Sequence, residues 1–131
     1  MTTPQPLPSG YHSVTPYLIV AGLPQLLEFL QFTFNTVERR RMLRPDGTIQ
    51  HAEIIIGDSI IELSEPNGDF HTQTAALHVY VSDVDATYKR ALQAGATSIY
   101  EPTDMDYGER GGGVRDAAGN QWYIATFTGS L

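Results

Sequence analysis

The sequence predicts an α+β fold, built from two tandem βαβββ modules whose curved mixed sheets surround a cleft. Three observations carry this expectation. The order strand, helix, strand, strand, strand occurs twice, over about residues 11–65 and again over about 75–127. A shift of 61 residues superposes the halves without a gap: Val20 falls on Val81, Thr36 on Thr97, Gly47 on Gly108, and the turn at 57–59 on 118–120. Finally, a four-stranded sheet carrying one helix leaves its other face bare. Two such sheets, from one chain or from two, leave a cleft suited to a small ligand.

Each element has a local reason. Residues 14–20 (VTPYLIV) read as a strand with Pro16 near its start, where a proline is tolerated. Pro24 suits the first turn of a helix, and Leu23, Leu26, Leu27, Leu30 and Phe34 follow helical spacing. Residues 37–43 (VERRRML) read as an exposed strand, and 45–47 (PDG) as a turn. Strands at 50–56 and 60–64 follow, separated by a Gly57-Asp58-Ser59 turn.

Residues 66–74 are polar and read as a linker, after which the order restarts. Residues 76–81 (ALHVYV) read as a strand. Ser82 or Asp83 caps a helix over about 84–94, with Val84, Tyr88, Ala91 and Leu92 as its apolar stripe and Gly95 as its stop. A strand over 97–100 leads through a loop at Pro102 to a glycine-rich strand ending GGGVR. At Gly111, Gly112 and Gly113 the lack of side chains allows something to approach the backbone closely. Residues 116–120 form a hairpin turn, with Gly119 and Asn120 best suited to positive φ, and residues 121–126 the last strand.

Composition narrows the function. The 131 residues suit one domain over 11–131, preceded by a flexible tail over 1–10. The absence of cysteine excludes disulfides, thiolate catalysis and cysteine-based zinc sites. A formal charge of -7 argues against nucleic acid or an anionic membrane as partner. No apolar run approaches a membrane span, and cytoplasmic residence is the expectation.

Four stretches, VTPYLIV, HAEIIIGDSIIELSEP, LHVYVSDVDATYKRALQAGA and YGERGGGVRDAAGNQWYIATF, together resemble the vicinal oxygen chelate superfamily. This superfamily groups glyoxalase I, bleomycin-resistance proteins, fosfomycin-resistance enzymes and extradiol dioxygenases. The resemblance covers about residues 11–127 and is closest to glyoxalase-like bacterial members without an assigned reaction. It implies a homodimer. It also implies four possible metal-ligand positions on the first and last strands of each half, normally His, Glu or Gln. Carried over by the helix and turn landmarks, these fall on Thr15, Glu62, Ala76 and Tyr123. Only Glu62 is an ordinary ligand, so no metal site of the family type and no cofactor are expected. A divalent metal on Glu62 and His78 is the alternative.

Glu62 in the apolar run IIEL reads either as a solvent-facing carboxylate or as a pocket ligand or base. His78 shares a strand face with Ala76, and a register two residues along makes His78 itself the ligand. Thr15, Tyr17, Glu62, His78, Tyr80 and Tyr123 are the expected pocket residues. His51 and Glu53 share a strand face, a pattern far more common on ordinary surfaces than at metals. Arg110 has acidic neighbours enough to occupy it, and Trp122 has the parity of a residue packed between sheet and helix. Three functions stand open. One is a protein that binds a small molecule in the cleft without a family-type metal site. Another is a metal-dependent lyase, isomerase, transferase or dioxygenase acting on vicinal oxygens. The third is a non-catalytic interaction module.

Overall fold

The computed structural model describes residues 6–129. Of the expected tail over 1–10, residues 1–5 lie outside the described residues. The elements run β1 (Tyr17–Ile19), α1 (Leu23–Phe34), β2 (Val37–Leu43), β3 (Ile49–Ile56), β4 (Ser59–Ser64), β5 (Ala76–Tyr80), α2 (Val84–Gln93), β6 (Thr97–Asp104), β7 (Glu109–Arg115) and β8 (Gln121–Phe127). They form two four-stranded mixed sheets, ordered β1-β4-β3-β2 and β5-β8-β7-β6. In each, the first strand runs parallel to the last and the remaining pairs are antiparallel. The two modules are thus alike in order and pairing, as the repeat predicted.

The helices form where local signals placed them. Pro24 sits in the first turn of α1, and the chain leaves that helix through Asn35 at φ 56. Asp83 caps α2, its carboxylate accepting from the Ala86 amide at 3.1 Å. Leu92 stands exposed, whereas Thr87 joins Val84, Tyr88 and Ala91 on the buried side. The stripe therefore follows the i, i+3, i+4, i+7 face strictly, and Leu92 falls one position off it.

Both helices and the inner faces of both sheets share one core. Leu18, Ile54, Ile61 and Leu63 join Leu26, Leu27 and Leu30 of α1, and Val84, Ala91, Val114, Trp122 and Ile124 of the second module, in a single cluster. Trp122 is fully buried, with its ring 5.5 Å from that of Phe34, as its strand parity predicted. Arg90 Nε donates to the Thr33 carbonyl at 3.2 Å, tying α2 to the end of α1. Because the helix sides of both sheets join this core, their other faces turn away from it.

Three further local expectations need correction, and the one about the glycine run is met. β1 begins at Tyr17 and not at residue 14, because Val14 is exposed and unpaired. β6 runs on through Pro102 to Asp104; it is an edge strand, where a proline costs no ladder bond, and two register shifts accommodate it. Asn120 does not take positive φ; in its turn only Gly119 does, at 97°. Asn120 is instead buried, and its side-chain oxygen accepts from the Ala75 amide at 2.9 Å, pinning the start of β5 to the last hairpin. As for the glycine run, the chain's own β6 supplies the close approach. A Cβ at Gly113 would lie 2.7 Å from the Tyr100 ring, and one at Gly112 would lie 3.2 Å from Pro102.

Candidate functional site

On the open face of the N-terminal sheet, the tight β3–β4 turn sets Glu53 directly opposite Glu62, and the parallel β1–β4 register sets Tyr17 beside Glu62. His51 lies two residues before Glu53 and so projects from the same face. The result is a compact polar group. His51 Nε2 is 3.0 Å from a Glu53 oxygen and 3.9 Å from a Glu62 oxygen. The Tyr11 hydroxyl, from the segment before β1, donates to Glu62 at 3.3 Å, and the Arg39 guanidinium lies 5.8 Å from the Tyr11 ring centroid.

The electrostatics follow from this crowding. Burial opposes ionisation of Glu53, yet hydrogen bonds from His51 and Tyr11, with the charges of His51 and Arg39, hold its carboxyl below the usual range. Burial, then the hydrogen bond and charge of Glu53 and the neighbouring Glu62, push the Tyr11 phenol up to about 12. A recess of about 430 Å³, lined by Tyr11, Thr15, Arg39, Arg40, Glu53 and Glu62, leads to the group from solvent.

The C-terminal sheet carries a second group on its open face. His78 stands beside Tyr123, and Tyr80 beside Ala125. Glu109 on β7 reaches both: its carboxylate is 3.0 Å from His78 Nε2 and accepts from the Tyr80 hydroxyl at 3.2 Å. The path is open because Gly111 and Ala125, cross-strand partners, carry almost no side chain; a Cβ at Gly111 would come 3.2 Å from the Glu109 carboxylate. Burial, then the charge and hydrogen bond of Glu109, raise the Tyr80 phenol. Tyr123 donates its hydroxyl to Gln121, and its ring stacks 6.3 Å from that of Tyr100.

The expected pocket residues therefore divide. Thr15, Tyr17 and Glu62 belong to one open face, and His78, Tyr80 and Tyr123 to the other. The register places Tyr17 beside Glu62 and His78 beside Tyr123, two residues along from Thr15 and Ala76. At these register positions only Glu62 and His78 have ordinary ligand chemistry, Tyr17 and Tyr123 fill the other two, and His78 is engaged by Glu109. The four-position arrangement of the family does not fit these residues. Arg110 is held by Asp85 at 2.9 and 3.0 Å and by Asp104 at 3.2 Å. Asp85 comes from the first turn of α2, outside the acidic neighbours that the sequence offered.

Two participants, Tyr11 and Glu109, were missed, and so was the pairing of Glu53 with Glu62. Counting outward from the 57–58 turn pairs Ile56 with Ser59 and Glu53 with Glu62, so the carboxylate pair was accessible to simple register arithmetic. Glu109 was not, since β7 meets β5 only across β8.

Two paired-strand modules, each with one helix over its inner face and a polar, aromatic outer face, define the architecture of the glyoxalase class. Residues 12–124 match the Glyoxalase/Bleomycin resistance protein/Dioxygenase superfamily, and the chain belongs to that family. It is 32% identical over 123 residues to an uncharacterized protein of Mycobacterium bovis, covering 86% of this chain and 81% of that one. Among solved structures, TioX from Micromonospora sp. ML1 aligns with a TM-score of 0.72 at 25% identity, over 92% of this chain and 99% of its own. The fosfomycin resistance protein FosX from Mesorhizobium loti shares the fold, with a TM-score of 0.66 at 15% identity over 89% of this chain and 92% of its own.

Proposed function

We propose that this chain binds a small organic molecule as a homodimer, between the N-terminal sheet of one copy and the C-terminal sheet of a second. No metal site of the family type takes part in this reading. The observation that carries it is the character of the open faces. Tyr17 and Tyr80 remain 46% and 61% exposed, in company with His78, Glu62 and Tyr123. Aromatic rings interleaved with hydrogen-bonding groups on a sheet face are what a pocket wall needs and what a solvent face does not. Both faces turn away from the shared core, so a cleft between sheets calls for a second chain. No helix among the described residues is long and apolar enough to cross a membrane, and the proposal places the protein in the cytoplasm.

The test has two arms. Light scattering of the untagged protein gives the oligomeric state. A thermal-shift screen of metal-stripped protein, with small aromatic and vicinal-oxygen compounds, gives the ligand class. The reading requires a dimer and at least one compound whose stabilisation is lost in both Tyr80→Ala and Glu62→Gln. A monomer, or a screen in which no compound raises Tm, sinks it and leaves an interaction module.

A metal-dependent reaction on a substrate with vicinal oxygens is a second reading, favoured by the gathering of His51, Glu53 and Glu62. A divalent metal there supplies Lewis-acid polarisation of bound oxygens. The chain's own residues hold the carboxylates in place, through the Tyr11 hydroxyl and the β3–β4 register.

A further inference from the structure

We propose that His51, Glu53 and Glu62 form a divalent-metal site of one imidazole and two carboxylates, contained within the N-terminal module. This differs from the family's arrangement, which draws on both modules, and it stands whether or not the small-molecule reading holds.

Geometry is the first argument. One donor atom from each of the three side chains lies within 4.8 Å of the others. The His51 nitrogen is 3.0 Å from Glu53 and 3.9 Å from Glu62. A metal about 2.1 Å from each donor needs donors roughly 3.0–3.5 Å apart. Of the three donor pairs, His51–Glu53 already meets this, and a torsional change of the partly exposed Glu62 closes the two pairs that involve it. The ligands sit on adjacent strands, with Glu53 and Glu62 in direct register, so the backbone is preorganised.

Charge is the second. Like charges directly opposite on paired strands destabilise a sheet. Glu53 is only 8% exposed, so water screens the repulsion weakly. Arg39 and Arg40 line the recess, yet among the described residues neither comes within ion-pairing distance of Glu53 or Glu62. The cations and donors facing the pair are His51, the Tyr11 hydroxyl and the more distant arginines. A bound divalent cation removes the repulsion outright, and Tyr11 then serves as an outer hydrogen-bond donor that orients Glu62. The recess beside the group provides entry.

The donor set selects the ion. An imidazole with two carboxylates favours Zn²⁺ or Mn²⁺ over Mg²⁺ and Ca²⁺, which prefer all-oxygen shells. The competing possibility is that His51 is merely the counter-ion of the two glutamates.

The experiment uses the full, untagged chain after chelation and dialysis, with no organic ligand. Zn²⁺, Mn²⁺ and Mg²⁺ are titrated by calorimetry, and metal content is read by plasma mass spectrometry. The expected result is one Zn²⁺ per chain, weakened at least about tenfold in His51→Gln and in Glu62→Gln and retained in His78→Gln. Melting temperatures of the variants check folding. As a measurement that needs no substitution, substoichiometric Mn²⁺ should broaden the His51 imidazole resonances before those of His12, His71 and His78. Absence of binding, loss confined to His78→Gln, or broadening that spares His51 overturns the proposal. The ligand screen on metal-stripped protein is scored separately, so failure of this site and failure of the binding reading remain distinguishable.

Discussion

Asp116 should be among the most costly polar residues to remove, although it lies in a turn and touches neither open face. Its carboxylate accepts from the Ala118 amide at 2.9 Å, the Asn120 amide at 3.0 Å, the Asn120 side-chain nitrogen at 3.0 Å and the Trp122 indole at 2.8 Å. Asn120 and Trp122 are fully buried, so Asp116→Ala strands three donors where water cannot replace the partner. At about 1–3 kcal/mol for each stranded buried donor, and with partial relief from no longer burying a carboxylate, the loss comes to about 3–6 kcal/mol. That is a large share of the roughly 5–15 kcal/mol that holds a domain folded. The assay is urea denaturation followed by far-ultraviolet circular dichroism. Trp122→Phe should cost about 1–2 kcal/mol less in the Asp116→Ala background than in the parent, because the indole donor is already stranded there. A loss under about 1 kcal/mol for Asp116→Ala at unchanged m would refute the reasoning.

Other expectations are open to measurement. Gly113→Ala places a methyl group 2.7 Å from the Tyr100 ring and should destabilise by about 1–2 kcal/mol, most of it recovered when Tyr100→Leu is added. In metal-stripped protein, Glu53 has its folded pKa below the ordinary 4.5, so its contribution is present above that value and lost as pH falls through the lowered one. Glu53→Gln should therefore flatten the acid limb of the stability curve below about pH 4.5. Tyr11 has its pKa raised from 10.0 to about 12, so its contribution is intact below pH 10.0 and lost as pH rises towards 12. Ultraviolet titration should show late-ionising phenols, Tyr80 and Tyr100 among them, and Tyr11→Phe should remove one tyrosine's share of that late component; a late component unchanged in Tyr11→Phe contradicts the Tyr11–Glu53–Glu62 contact.

The sequence by itself determined what is local. Helical spacing set α1, a cap at Ser82 or Asp83 set the start of α2, and the glycine turns at 57 and 119 set two hairpins. Because the turn residues repeat at a constant shift, the duplicated architecture followed as well. Strand parity placed Trp122 in the core, and the same parity with the tight β3–β4 turn implied that Glu53 faces Glu62. The tertiary structure alone decided the rest. Pro102 belongs to a strand because β6 is an edge, a fact about neighbours and not about residue 102. Glu109 meets His78 and Tyr80 because Gly111 and Ala125 leave an open path across β8. Tyr11, which the sequence left beside a flexible tail, caps the carboxylate pair because the segment before β1 folds over the open face. The division of the expected pocket residues between two outward faces follows from helices that pack together at the centre of the chain. Periodicity reports which side of an element is apolar; where that side ends up depends on contacts between residues far apart in sequence.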